Sequence, residues 1–188
     1  MSDIKIGIIL MAAGEGKRYG SNKLLDIIKG RRLFEHTLEA VKNIDADKVI
    51  VTGYSEIGEY AGELGIPVVI NDRPEEGISR TIRLGTEKLK YCDALIFSVC
   101  DQPGVSEETF TRLIEGYRAS GLGLASMGQT DGTLGNPCIF HKKYFDELME
   151  LTGDTGGKKV IKKHMDDLRI IPAETSELED IDYRTDAR

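Results

Sequence analysis

Along this chain, short apolar runs alternate with stretches whose apolar residues recur at helical spacing. Residues 4–10 (IKIGIIL) form a nearly continuous apolar run rich in β-branched side chains, which predicts a strand covered on both faces of a parallel sheet. Residues 33–44 (LFEHTLEAVKNI) read as a helix, 47–54 (DKVIVTGY) as a strand, a short helix starts near Glu56, and 67–70 (PVVI) is extended. A helix over 80–90 leads to a strand at 94–99 (ALIFSV), then to a helix over 106–119 with Ser106 and Thr109 as capping residues. In the second half, LGLASM and PCIF flank QTDGTLGN, whose Asp131-Gly132 step marks a turn between two antiparallel segments. Helices over 142–151 and 156–164, a strand at 168–171 and a polar tail follow, with the acidic residues of 174–182 expected to be mostly solvated. Strands alternating with helices predict an α/β fold. The expected form is a single domain over 1–188, a Rossmann-like three-layer α/β/α sandwich with a mostly parallel sheet and an antiparallel excursion in its C-terminal half.

Two places fit this pattern as chemistry rather than as packing. The first strand breaks into AAGEGKRYGSNK, where Gly14, Gly16 and Gly20 are incompatible with a stable helix interior. Ligands of open α/β sheets bind beyond the carboxyl ends of the strands. There, Gly14 and Gly16 would let backbone N–H groups approach an anion, with Arg18 and Lys23 supplying charge. The spacing is GxGxxxG without the GKS or GKT ending of a P-loop, so glycines alone do not fix the ligand. A dinucleotide site would want an acidic residue at the end of the second strand, and that strand ends VTGYS, with Glu56 too far out. The second place is CDQP, where Asp101 directly follows a buried strand. An Asp there is by default a turn or capping residue. Beside a triphosphate cradle, it would instead suit Mg²⁺, which takes one or two carboxylates together with phosphate oxygens.

Composition narrows the partners. The 188 residues carry a formal net charge of -7, which argues against sequence-independent binding of nucleic acid. No apolar run approaches the ~20 residues of a membrane span, and the opening stretch, interrupted by Lys5 and Gly7, is too short for a secretory leader; a cytoplasmic location is expected. Cys92, Cys100 and Cys138 show no close metal-ligand spacing, and His36, His141 and His164 are far apart, so a zinc site is poorly supported. A hard cation on carboxylates remains open.

Taken together, MAAGEGKRYGSNKLL, VCDQPG, LGNPCIF, LTGDTGGKKVIKKH and EDIDYRTD resemble the molybdenum cofactor cytidylyltransferase family, within the wider nucleotidyltransferases of the nucleotide-diphospho-sugar transferase fold. Five blocks occur in the family's order from Ile4 to about Asp186. The resemblance implies that Ala12, Ala13, Gly14, Gly16, Arg18, Gly20 and Lys23 wrap the nucleotide, with Arg18 and Lys23 on the leaving phosphates. It implies Mg²⁺ held by Asp101 and Asp182, with Asp180 as the rival of Asp182. It places Gly77, Ser79 and Thr81 of GISRTIRLG facing the base, and Gly153–Lys159 near the acceptor, where Lys158 and Lys159 would meet an anionic substrate or simply form a solvated helix face. Tyr19, Cys100 and DYRTD depart from the family's usual Met, Gly and DTPED. An AAG opening resembles the members that use CTP. The implied activity is transfer of CMP from CTP to molybdopterin or molybdenum cofactor, with handover to a molybdoenzyme as a further implication. The rival readings are a GTP-dependent guanylyltransferase, a sugar-phosphate nucleotidyltransferase and a nucleotide-binding module without catalysis.

Overall fold

The computed structural model describes residues 4–14, 22–129 and 131–181. Strand β1 (Ile6–Ala12) is followed by a 3₁₀ turn (Lys23–Leu25), the small hairpin β2 (Ile27–Ile28) and β3 (Arg31–Arg32), and helix α1 (Leu33–Val41). Then come β4 (Asp47–Thr52), α2 (Ser55–Glu63), β5 (Val68–Ile70), α3 (Ile78–Leu89), β6 (Ala94–Val99) and α4 (Glu107–Ser120). The second half contributes β7 (Leu124–Gly128), β8 (Leu134–His141), α5 (Phe145–Met149), α6 (Lys158–Lys163), β9 (Leu168–Pro172) and α7 (Thr175–Leu178). No helix among these residues is long and apolar enough to cross a membrane.

Seven strands form one sheet in the order β5-β4-β1-β6-β8-β7-β9. All run in one direction except β8, which pairs antiparallel with both β6 and β7. The excursion read from Asp131-Gly132 is the β7–β8 connection, where Gly132 takes φ 88° and Asp131 Oδ1 accepts from the Thr133 amide at 2.8 Å. The central strands alternate between two cores, as strands covered on both faces must. Ile8 and Leu10 of β1 join Phe34 and Leu38 of α1, Ile57 of α2 and Phe110 and Leu113 of α4. Ile9 faces the other way, with Ile82 and Leu89 of α3, Leu148 of α5 and Ile161 of α6. The expected three-layer α/β/α sandwich is thus observed. Helix α3 lies so close to β1 that a Cβ on Gly85 would sit 2.4 Å from Ile9 Cγ2.

One element was not anticipated: the hairpin β2–β3 has no periodic signal, because two-residue strands are too short to show one. The acidic tail is mostly solvated, as expected, with Glu174, Glu179 and Asp180 exposed, but with one exception. That exception is Glu177, only 7% exposed, on helix α7, which packs back onto the domain.

At the opposite end of the sheet from the strand carboxyl ends, Asp167 anchors the start of β9. Its carboxylate accepts from the Gly123 amide at 3.0 Å and the Tyr144 hydroxyl at 2.5 Å, and pairs with Lys143 at 2.7 Å. Burial alone would raise its pKa, but Lys143, Tyr144 and the Gly123 amide outweigh burial and hold it at about 2, against an ordinary 3.8. A depressed folded pKa means that the ionised form stabilises the fold, in full above about pH 4, and that this is lost as pH falls towards 2. The expected size is on the order of 2 kcal/mol. Urea unfolding of Asp167→Asn should show a loss of about that size at pH 6, with the gap to wild type closing towards pH 2.

Candidate active site

Registry between parallel strands builds the site. β1 pairs with β6 from Ile6↔Ala94 to Met11↔Val99, so the glycine loop leaving β1 and the Asp101 turn leaving β6 emerge side by side. On the other flank β1 pairs with β4 up to Ala12↔Thr52. The mouth is stitched together across all three strands. The Cys100 amide donates to Met11 O at 3.3 Å, Thr52 Oγ1 donates to Ala12 O at 2.9 Å, and the Tyr54 hydroxyl donates to Gly14 O at 2.9 Å. Ala12 and Ala13 are buried, whereas Gly14 is exposed and a Cβ there would meet nothing within 4 Å.

Gly16, Arg18 and Gly20, expected in the nucleotide loop, lie outside the described residues, as does Asp182. Lys23, where the loop rejoins the described chain, returns to the site. It opens the 3₁₀ turn that Asn22 caps by accepting from the Leu24 amide at 3.2 Å. Its ammonium meets Asp101 Oδ2 at 2.7 Å, with the two side chains only 16% and 21% exposed. A carboxylate in such surroundings needs all its lone pairs satisfied. Among the described residues, buried Asp101 Oδ1 has no hydrogen-bond partner, and neither has Gln102 Oε1 next to it nor Asn22 Nδ2 beside Lys23. An unsatisfied carboxylate oxygen suits a hard divalent cation, which takes oxygen ligands, and an unsatisfied amide N–H near a lysine suits an anion. No cluster of three or more His, Cys, Asp or Glu that could hold a metal occurs among the described residues. Cys100 is 1% exposed and its thiol is pushed up by burial, which fits a packed strand end.

The segment leading into α3 packs on the loop around Gly153. Gly77 caps α3 at φ 83°, and a Cβ on it would lie 2.4 Å from the Gly153 carbonyl. The Ser79 amide donates to Gly153 O at 3.2 Å, and Arg83 donates to Leu151 O at 2.5 Å and to Ser79 Oγ at 3.2 Å. The loops singled out as base-facing and acceptor-facing are therefore packed back to back. Ser79 is fully buried, and Thr81, 5% exposed, accepts from Asn71 Nδ2 at 3.1 Å. Asn71 Oδ1 in turn accepts from Arg80 Nε at 2.9 Å. The Gly77–Ser79 turn thus touches Gly153 through its backbone, while the Thr81 hydroxyl is spent inside the protein. Lys158 and Lys159 are exposed on α6.

Sequence reasoning missed Gln102, Asn71 and Arg83. Gln102 had a signal, its place beside Asp101; the other two act through contacts with partners that no local pattern links to them.

The fold is shared with solved structures. The chain superposes on Rv0371c from Mycobacterium tuberculosis H37Rv with a TM-score of 0.80 at 22% identity, covering 99% of this chain and 96% of that one. It superposes on a nucleotidyl transferase from Methanothermobacter thermautotroptrophicus with a TM-score of 0.78 at 22% identity, covering 97% and 94%. The architecture is thus that of the α/β nucleotidyl transferase fold, with the candidate site at the carboxyl ends of its parallel strands. By sequence, the chain belongs to the family of the MobA-like NTP transferase domain, which matches residues 8–168. Relatives include a probable molybdenum cofactor guanylyltransferase of Bacillus cereus (strain B4264), 30% identical over 109 residues, 57% of this chain and 54% of that protein. The bifunctional protein GlmU of Staphylococcus haemolyticus is 27% identical over 116 residues, 60% of this chain and 26% of that protein. The match thus spans about half of the first relative and a quarter of the second.

The back-to-back packing of the two loops is testable through Gly77. Gly77→Ala would place a methyl group against the Gly153 carbonyl at a positive φ, an expected loss of about 1–3 kcal/mol. Gly14→Ala, with open space around it, is expected to unfold at nearly the wild-type denaturant concentration. Equal midpoints for Gly77→Ala and wild type would contradict the described packing.

Proposed function

We propose that this protein is a nucleotidyltransferase that moves CMP from CTP to the terminal phosphate of molybdopterin or molybdenum cofactor, with Mg²⁺, releasing pyrophosphate. The observation that carries the reading is the Lys23–Asp101 pair at the junction of β1 and β6, with its unsatisfied neighbours Asp101 Oδ1 and Gln102 Oε1. A cation and a carboxylate held together where a glycine loop meets a strand end form a site for a triphosphate and its metal. A structure of Rv0371c in complex with manganese, sharing the fold at a TM-score of 0.72, is in line with use of a divalent cation. A CMP:2-keto-3-deoxy-manno-octonic acid synthetase complexed with CTP shares the fold at the same score.

In the proposed reaction an acceptor phosphate oxygen attacks the α-phosphorus of CTP in line. A new P–O bond forms, the bond from the α-phosphorus to the α–β bridging oxygen breaks, and pyrophosphate leaves with the electron pair. Such transfer depends on alignment and on neutralising charge as it moves to the leaving oxygens. Lys23, together with Arg18, would hold the β- and γ-phosphates and offset charge growing on pyrophosphate. Asp101, with Asp182 or Asp180, would hold Mg²⁺, which supplies charge neutralisation at the phosphate oxygens. Ala12, Ala13, Gly14 and Gly16 would line the triphosphate. Gly77 and Ser79 would shape the base pocket through their backbone, with Thr81 supporting it from within. No covalent nucleophile on the protein takes part. Handover of the product to a molybdoenzyme and a cytoplasmic setting complete the proposal.

A second reading has its own support. Curated relatives at 30% identity are probable molybdenum cofactor guanylyltransferases, which favours GTP, whereas the AAG of residues 12–14 favours CTP. The test is pyrophosphate release from CTP, GTP, UTP and ATP with Mg²⁺, with and without anaerobically isolated molybdenum cofactor. Release that requires the cofactor and favours CTP is expected. Preference for GTP would move the protein to the guanylyl branch, and release only with a sugar phosphate would overturn the acceptor. In the same assay, at a temperature where circular dichroism shows each variant folded, Lys23→Ala and Asp101→Ala are each expected to lose ~10²-fold or more in turnover. Near-normal turnover in either would remove that residue from the site.

A further inference from the structure

The segment from Glu174 to Ile181 is fastened to the Asp101 turn by contacts that packing alone does not require. Glu177 of α7 is 7% exposed, and its Oε1 accepts from the Thr109 hydroxyl at 2.5 Å and from Arg112 Nη2. Its other oxygen accepts from the Glu174 amide at 2.9 Å. Burial would raise this carboxyl, but Arg112, Thr109 and the Glu174 amide reverse the effect and hold it below the ordinary range. Arg112 also donates to Pro172 O at 2.7 Å, so one guanidinium ties α4 to both the end of β9 and the segment beyond it.

Ahead of this lock the segment runs against the turn that carries Asp101. A Cβ on Gly104 would lie 1.8 Å from Ser176 O, so the two backbones are in contact and only glycine fits. Gln102, 2% exposed, donates from Nε2 to Leu178 O at 3.2 Å and to Asp180 Oδ1 at 2.8 Å. The Ile181 amide donates to Asp101 O at 3.0 Å. Asp101, Gln102 and Gly104 therefore each touch the segment, although it lies some seventy residues further along the chain. A four-residue helix buries little apolar surface, and a buried charge is an expensive fastener unless it fixes a register.

We propose that Glu177 and Gln102 are positioning residues: the Arg112–Glu177–Thr109 lock and the Gln102 bridge hold the C-terminal segment on the Asp101 turn, and so set the divalent-cation affinity of that turn. The proposal rests on Asp101 being a metal ligand, as in the proposed function. Partners behind metal ligands commonly change affinity by about 10–100-fold. Gln102 acts on the turn from within, by fixing its backbone against Leu178 and Asp180, and Glu177 acts from a distance, by fixing the segment itself.

The test is Mn²⁺ binding to the full-length protein with inorganic triphosphate present to supply phosphate oxygens, followed by electron paramagnetic resonance. Wild type should bind, and Asp101→Asn should not. Glu177→Ala and Gln102→Met are each expected to bind about 10-fold or more weakly at a temperature where both are folded. Glu177→Gln, which keeps its shape and its acceptor oxygen, is expected to recover part of the loss. Hydrogen exchange of residues 174–181 should rise in Glu177→Ala. Wild-type affinity in both Glu177→Ala and Gln102→Met, while Asp101→Asn fails to bind, overturns the positioning role alone. Wild-type protein that binds no Mn²⁺, or binds it regardless of Asp101→Asn, overturns the metal assignment and this proposal with it. Pyrophosphate release without cytidylyl transfer would sink the acceptor reading and leave the positioning role standing.

Discussion

Everything proposed for this protein depends on the parallel pairing of β1 with β6. In-register pairing from Ile6↔Ala94 to Met11↔Val99 makes the two strands end together, so a glycine loop near residue 14 and a carboxylate at residue 101 become neighbours. The Lys23–Asp101 ion pair at 2.7 Å closes that junction. A slip of one residue would turn every side chain of β1 to the opposite layer, exchanging Ile8 and Leu10 with Ile9 between cores that fit only one arrangement. Core packing thereby fixes the site's geometry.

In the proposed function, the same pair leaves the site ready for substrate. A lysine and an aspartate in contact at low exposure neutralise each other while substrate is absent. Both have other partners to take when a triphosphate and its cation arrive, the ammonium turning to phosphate oxygens and the carboxylate to the metal. Burial strengthens each of these interactions relative to water. Gly77 against Gly153, and Gly104 against Ser176, are places where two chain segments touch without a Cβ between them. The Asp101 turn is therefore held by the sheet beneath it and by the C-terminal segment packed on it, while the α3 loop and the Gly153 loop fix each other.

The sheet and most helices were legible because their signals are local. The strand at 94–99 and the capping box of Ser106 and Thr109 stand where hydrophobic runs and capping chemistry put them. The strand pair around Asp131-Gly132 followed from turn chemistry, although no local feature says that β8 inserts between β6 and β7. Lys23 and Asp101 were legible as residue types in the right places, but their contact depends on strand order. The burial of Glu177 was not legible, because it looks like any solvated acid in sequence and its partners Thr109 and Arg112 lie on another helix. The same holds for Arg83, whose reach to Leu151 O has no signature short of the fold itself.

In the proposed function, the triphosphate and its cation meet at the Lys23–Asp101 junction. A crystal structure with Mn²⁺ and a non-hydrolysable CTP analogue tests it most directly, since manganese is located independently by its anomalous scattering. The metal is expected within about 2.1 Å of an Asp101 carboxylate oxygen, with Lys23 turned to the β- or γ-phosphate. Nucleotide bound elsewhere, or a metal that leaves Asp101 paired with Lys23, would contradict it.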